Sequence, residues 1–307
     1  MSELTQPAPL RNVLTDVSVR EGSQQFPDFR CLPVAQKIEF MRHTLRIGVQ
    51  RIELTAFAPG EWFHDADKLV QAATDIPEDV ELRALYFNTR GLERLLHYPH
   101  VSPEGIFHTA ASTNYRLKNY RQKSVMDVVR KLDRLLVHFD RHQLRFDTVQ
   151  MSTAWGEPDE PVLPDAVLNL LSCISDHAAR QGFPVASISL ADTVGNATPN
   201  GILALIESIK REWPDRIVRA HLHPAYGMEE ECVHAALDGG VDEWEASWGG
   251  LGGSPFAEDP GGNLDIRWLV RVYKERGLEH GFDLEAIERA MCYLADIVER
   301  DVPDVHI

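Results

Sequence analysis

The sequence predicts an α/β fold, a (β/α)8 TIM barrel with additional C-terminal helices, on three observations. Short β-branched or apolar runs alternate with longer amphipathic runs along nearly the whole chain. Eight such strand–helix units fit into 307 residues, the usual size of one barrel. Polar clusters recur after most of the strands, as expected when all the loops share one mouth. The rival, an open doubly wound sheet, also alternates strand and helix, but no Gly-x-Gly-x-x-Gly follows the first strand.

Residues 1–10 are polar and proline-containing and read as a loose tail; residues 11–307 read as a single domain. The strands are expected at 12–18, 51–56, 81–86, 105–110, 145–152, 186–191, 217–222 and 241–247. Helices are expected at 34–48, 124–138, 164–181, 199–212 and 228–238. Pro199 suits a first helical turn. Gly48, Gly182 and Gly239 follow apparent helix ends, where a left-handed residue is wanted. Stretches 265–276 and 283–300 add two helices that close or cap the barrel.

Composition narrows the function classes. Lys plus Arg is 31 and Asp plus Glu is 47, a net charge of −16. A uniformly basic footprint for nucleic acid is absent, and anionic membranes would repel this surface. An anionic small-molecule ligand must be held by a local cluster of positive or metal charge. Cys31, Cys173, Cys232 and Cys292 are scattered, without a CxxC pair, which suits a reducing cytoplasmic setting. No signal peptide and no membrane span is read from the sequence.

Barrel active sites lie at the C-terminal ends of the strands. The first strand runs into Arg20 and Glu21, a permanent cation beside an oxygen ligand, or a plain surface pair before a glycine turn. On the second, Glu53 alternates with apolar neighbours; a carboxylate facing the lumen needs a partner, and Arg20 is the natural one. The sixth ends in Asp192 and Thr193, placed to orient a ligand or a histidine, or to cap a helix before Pro199. The seventh carries His221 and His223, and the i, i+2 spacing puts both imidazoles on one face, where they are good ligands for a divalent metal or simply two polar histidines at a strand end. After the eighth come Gly249, Gly250, Gly252 and Gly253, then Ser254 and Asn263. Four glycines in five residues mark unusual torsions, close ligand approach or a mobile loop. Residues 114–123, with Arg116, Lys118 and Arg121, form a basic stretch after the fourth strand; it either attracts substrate phosphates or carboxylates or is a solvated helix start.

Together these segments resemble the 3-hydroxy-3-methylglutaryl-CoA lyase branch of the metal-dependent barrel lyases and aldolases. That superfamily also contains the isopropylmalate, homocitrate and citramalate synthases. The matching motifs are Arg20-Glu21-Gly22, Ile52-Glu53-Leu54-Thr55-Ala56-Phe57 and Ala191-Asp192-Thr193-Val194-Gly195 with Thr198-Pro199. They continue with His221-Leu222-His223 followed by Tyr226-Gly227, Gly250-Leu251-Gly252-Gly253-Ser254-Pro255-Phe256, and Gly262-Asn263-Leu264. The order and spacing hold from about residue 12 to about residue 270.

The resemblance implies a divalent ion, Mg²⁺ or Mn²⁺ foremost and Zn²⁺ or Co²⁺ in some relatives, held by Glu21, His221, His223 and Asn263. It implies catalytic roles for Arg20, Glu53, His221 and Ser254, with Arg20 on the enolate oxygen. Gln24, Arg116, Lys118, Asp192, Thr193 and Tyr226 are the candidate substrate contacts, and a CoA thioester is the candidate substrate. Family members are commonly dimers or larger, so the resemblance also implies a homodimer. Three positions depart from the pattern. Ser254 stands where the lyases carry a loop cysteine, and a hydroxyl is a far weaker acid than a thiol. Glu21 replaces Asp, and Pro224 replaces the Asp or Asn after the histidine pair. The reading is a carbon–carbon lyase acting on a 3-hydroxyacyl-CoA or related hydroxy acid. The alternatives are a condensing acyltransferase, which the Arg-Glu-Gly-Ser-Gln-Gln segment favours, and a non-catalytic metabolite-binding barrel.

Overall fold

The computed structural model describes residues 8–58, 60–253, 262–298, 302 and 305–307. Its strand segments are β1 (Leu14–Asp16), β2 (Arg51–Phe57), β3 (Glu81–Tyr86), β4 (Ser102–Pro103), β5 (Ile106–Ala110), β6 (Thr148–Ser152), β7 (Ser187–Ala191), β8 (Ile217–His221) and β9 (Glu243–Ala246). All pair in parallel, in the order β4-β3-β2-β1-β9-β8-β7-β6-β5. The first strand thus lies between the second and the last, which an open doubly wound sheet does not do. The two ends of the order, β4 and β5, are separated only by Glu104 and Gly105, so the chain itself joins them. They are halves of one interrupted strand, and the result is the expected eight-staved barrel.

The interruption has a physical cause. A Cβ on Gly105 would collide with the carbonyl oxygen of Arg145, so the chain passes there only as glycine. Glu104 turns its carboxylate to Arg83 (2.8 Å) and Arg219 (3.9 Å).

The first predicted strand is where the structure departs furthest from expectation. Leu10–Val13 is one helical turn, β1 is three residues, and Ser18–Gln25 is a helix. Leu10, at the edge of the expected tail, is fully buried. Arg20 and Glu21 therefore ride on a helix, not before a glycine turn. Gly22 lies inside it, because a Cβ there would stand 2.8 Å from Phe29 Cδ1; packing, not a turn, selects the glycine. Asp16 starts the helix: its Oδ1 accepts from the Ser18 backbone N–H (2.9 Å) and from the Ser18 hydroxyl. Ser18 Oγ in turn accepts from Trp248 N (2.8 Å), tying the helix start to the segment after β9.

The longer helices fall where amphipathic periodicity puts them, at Val34–Ile47, Val125–Arg141, Pro164–Arg180, Pro199–Glu212 and Glu229–Gly239. Ser124 and Asp127 form a reciprocal capping box for the second of these. Gly48 is a left-handed helix cap as expected, but Gly240 takes that role in place of Gly239. Gly239 stays helical, and a Cβ on it would press on Ile206 Cβ at 3.0 Å. Ile266–Glu275 and Leu284–Ile297 follow the barrel, and the latter packs on Val34–Ile47. Among the described residues no helix is long and apolar enough to cross a membrane.

Burial pushes the Asp16 carboxyl up to about 6, against the hydrogen bonds from Ser18 that favour its charge. An unfolded Asp titrates near 3.9. Between these values the folded protein holds a proton that the unfolded chain has released, so stability falls as pH rises from about 4 to about 6 and stays lowered above. Asp16→Asn keeps the acceptor for Ser18 and removes the buried charge. We expect it to raise Tm at pH 7.5, by an effect of at most about 3 kcal/mol, and the gain to shrink toward pH 5. A gain that is constant across that range in thermal melts would refute the assignment.

Candidate active site

The C-terminal ends of the strands open on a cavity of about 90 Å³. Arg20, Glu21 and Gln24 line it from the first helix, His108 and Gln150 from β5 and β6, Thr193, His221 and His223 from the loop after β7 and the end of β8, and Gly253 from the glycine segment.

Arg20 is buried and divided between two carboxylates. Its Nε donates to Glu53 Oε1 and its Nη1 to Glu21 Oε1, with Gln24 Oε1 a longer acceptor at 3.4 Å. Burial works against the guanidinium charge, but Glu21 and Glu53 outweigh it and hold its pKa above the usual range. Glu53 lies behind Arg20 and not on the cavity wall. Burial pushes its carboxyl up, against the pull of Arg20, and the carboxylates of Glu104 and Glu245 push the same way.

His221 Nε2 lies 3.1 Å from His223 Nε2 and 3.6 Å from Glu21 Oε1. Glu21 Oε2 and Asn263 Oδ1 are both buried with no hydrogen-bond partner. The two side chains are close neighbours: a Cβ on Gly252 would clash with Asn263 Nδ2 and stand 2.9 Å from Glu21 Oε2. Asn263 Nδ2 donates to Leu251 O (2.8 Å), which directs the amide. Two orphaned acceptor oxygens beside two imidazoles suit a divalent cation of mixed N/O preference. Among the described residues, the three His, Cys, Asp or Glu side chains whose ligand atoms lie within 4.8 Å of one another are elsewhere, at Glu230, His234 and Glu275. That surface trio is already neutralised: Arg271 pairs with both glutamates and Arg276 Nε donates to His234 Nδ1.

The other expected contacts divide. Thr193 lines the cavity and its Oγ1 accepts from Thr153 N (2.9 Å). Asp192 Oδ1 accepts from the N–H groups of Asn196 (2.8 Å) and Ala197 (3.0 Å), so that oxygen serves the turn after β7, while Oδ2 is buried with no hydrogen-bond partner; burial lifts its pKa to about 6. Arg116 bends back onto Ala110 O (3.2 Å), and neither it nor exposed Lys118 lines the cavity. Tyr226 is 99% exposed. Ser254 lies outside the described residues.

The structure adds groups that the motifs did not name. Glu245 Oε2 meets His221 Nδ1 at 3.1 Å. Burial opposes charge on both, yet their contact raises the histidine pKa and, with Arg219, lowers that of the glutamate. His108 projects Nε2, buried and unpartnered, from the cavity wall, and burial lowers its pKa to about 4, so it is neutral at physiological pH. Both were legible in principle. Glu243 and Glu245 repeat on the eighth strand the i, i+2 spacing that singled out His221 and His223, and His108 takes an inward position on the fourth.

A family model described as HMGL-like matches residues 11–293. The (R)-citramalyl-CoA lyase of Chloroflexus aurantiacus is 29% identical over 94% of this chain and 92% of its own length. The hydroxymethylglutaryl-CoA lyase of Bacillus subtilis is 26% identical over 97% and 96%. Among solved structures, the Bacillus subtilis HMG-CoA lyase superposes with a TM-score of 0.83 at 24% identity, covering 97% of each chain, which shows the shared fold.

Proposed function

Because the chain belongs to the HMGL-like family, we propose that it is a divalent-metal-dependent carbon–carbon lyase that cleaves a 3-hydroxyacyl-CoA. The observation that carries this reading is the meeting, at one barrel mouth, of a carboxylate-clamped Arg20 with the orphaned oxygens of Glu21 and Asn263 and the imidazoles of His221 and His223.

Those four side chains would hold the metal, which would supply Lewis acidity toward the substrate carbinol and a neighbouring oxygen. The protein's own groups do the rest. A base takes the carbinol proton; Glu53, which lies behind Arg20, and His221, held by Glu245 at Nδ1, serve that step by positioning Arg20 and the metal. The carbon–carbon bond breaks, its electron pair passes to the enolate of the acyl-CoA, which then takes up a proton at carbon, and the carbinol carbon becomes a ketone or 2-oxo acid. Arg20 faces the new oxyanion, and Glu53 fixes the guanidinium for it. The names of the relatives make 3-hydroxy-3-methylglutaryl-CoA and citramalyl-CoA the first substrates to try.

The test incubates metal-depleted and Mn²⁺- or Mg²⁺-reconstituted protein with each thioester and follows the acyl-CoA product by chromatography. Metal-dependent cleavage that His223→Ala lowers by at least about 10²-fold is the expected result. Free-thiol release from acetyl-CoA with a 2-oxo acid, and no cleavage of either thioester, would instead make the protein a condensing enzyme.

A further inference from the structure

Three lumen-facing positions of one strand, Arg219, His221 and His223, stand beside an acidic strand. In the parallel register of β8 and β9, Arg219 pairs with Glu243 and His221 with Glu245. The side chains follow that ladder. Arg219 holds Glu243 Oε2 through Nε (3.0 Å) and Nη2 (2.8 Å), and donates to Glu245 Oε1 through Nη1 (3.1 Å). Glu245 keeps its other oxygen, Oε2, for His221 Nδ1 at 3.1 Å. All three members, Arg219, Glu245 and His221, are buried.

We propose that Arg219 and Glu245 are positioning residues that fix which nitrogen of His221 carries the proton, and so set the affinity of the site for a divalent cation. The proposal rests on the reading that His221 is a metal ligand. An imidazole binds metal through a nitrogen lone pair, so the other nitrogen must keep the hydrogen. A carboxylate oxygen at Nδ1 holds the hydrogen there. Nε2 is then left bare, on the side where His223 Nε2 (3.1 Å) and Glu21 Oε1 (3.6 Å) lie.

Glu245 cannot do this alone. A buried carboxylate with no counter-charge takes up a proton or turns away. Arg219 supplies the charge and, because its planar fork spans two glutamates, it also fixes the Glu245 rotamer. Arg51 anchors the far glutamate, Glu243, at 3.0 Å. The line Arg51, Glu243, Arg219, Glu245, His221 thus runs from the N-terminal end of the barrel to its mouth, with Glu243, Arg219 and Glu245 each held on both sides.

Two measurements test this on the full-length protein. The first is ¹⁵N NMR of metal-free, histidine-labelled protein, with the His221 signals identified by their loss in His221→Gln. Wild type should show His221 protonated at Nδ1 and bare at Nε2, and Glu245→Gln should shift it toward a mixture. The second is Mn²⁺ affinity, read from the free-ion EPR signal. Glu245→Gln should weaken it by about 10- to 100-fold, the cost of losing such a partner. Arg219→Met should weaken it similarly, with Arg219→Lys recovering part of the loss; thermal melts show whether each variant is folded. Should Arg219→Met fail to fold, Glu245→Gln and Arg219→Lys carry the test. An Nε2-protonated His221 in the wild type, or Mn²⁺ affinity of Glu245→Gln within twofold of wild type, would overturn the relay. Wild-type protein that binds no divalent ion would overturn the proposal through its premise, and the wild-type titration tells that failure from the other.

Discussion

Arg20→Gln is expected to lower kcat for carbon–carbon cleavage of the 3-hydroxyacyl-CoA by about 10³-fold while the protein still binds Mn²⁺. The expectation follows from how the guanidinium is shared. Nε is taken by Glu53 and Nη1 by Glu21 and Gln24, and among the described residues Nη2 has no protein partner. Nη2 is therefore the nitrogen free to meet an oxyanion that develops in the cavity Arg20 lines. Loss of one preorganised donor costs about 10²- to 10³-fold in related catalytic settings, and here a full positive charge goes with it. Glutamine matches part of the reach but has neither the charge nor enough donors for both carboxylates. Arg20→Lys should recover little, because one ammonium cannot hold Glu53 and Glu21 at fixed angles and still face the substrate. A loss confined to KM, or a drop under tenfold, would place Arg20 in substrate binding or in structure, not in the bond-breaking step. Mn²⁺ affinity is the control that separates the two neighbours: Glu21 keeps its carboxylate in both variants.

Why the barrel could be read from sequence while its first strand could not comes down to pattern length. Helices of fourteen and seventeen residues, such as Val34–Ile47 and Val125–Arg141, repeat their apolar stripe enough times to be unmistakable. The helices Ala66–Ala72, Thr89–Leu95 and Thr113–Tyr120 have seven or eight residues, about two turns, and carry no such signal. The opening segment misleads further. Asn12 to Ser18 reads as a short β-branched and apolar run, yet only Leu14–Asp16 enters the sheet, because Asp16 captures the Ser18 N–H and starts a helix. The candidate site shows the same split. His221 and His223 converge with Arg20 and Glu21 because the barrel brings all strand ends to one mouth, and Glu53, earlier on β2, backs Arg20. Arg116, on the two-turn helix Thr113–Tyr120, and Tyr226, in the loop after β8, sit on pieces whose direction no periodicity encodes, and neither lines the cavity. The spacing of Glu243 and Glu245 marks one face of their strand, but only the neighbouring strand in register shows that Glu245 meets His221.

Gly252→Ala is expected to cripple the candidate metal site while leaving the barrel folded. Gly252 has φ +106°, a torsion that L side chains rarely adopt, which costs about 1–3 kcal/mol when forced on one. Space is the greater obstacle. A methyl group there would clash with Asn263 Nδ2, stand 2.5 Å from Glu21 Cβ and 2.9 Å from Glu21 Oε2. Neither neighbour yields easily: the Asn263 amide is fixed to Leu251 O at 2.8 Å, and Glu21 sits on a buried helical turn with its Oε1 on Arg20. The added carbon must therefore part the two side chains whose orphaned oxygens mark the site. We expect Mn²⁺ affinity to fall by at least tenfold and kcat/KM by about 10²-fold, the scale of losing one well-placed group. Gly277→Ala is the matched control, since Gly277 also has positive φ (+67°) but no atom within 4 Å of its Cβ position. It should lower Tm through backbone strain and leave metal binding and rate unchanged. If Gly252→Ala instead behaves like Gly277→Ala, with lower Tm and full Mn²⁺ affinity, then Glu21 and Asn263 do not share a cation, and the glycine serves the backbone alone.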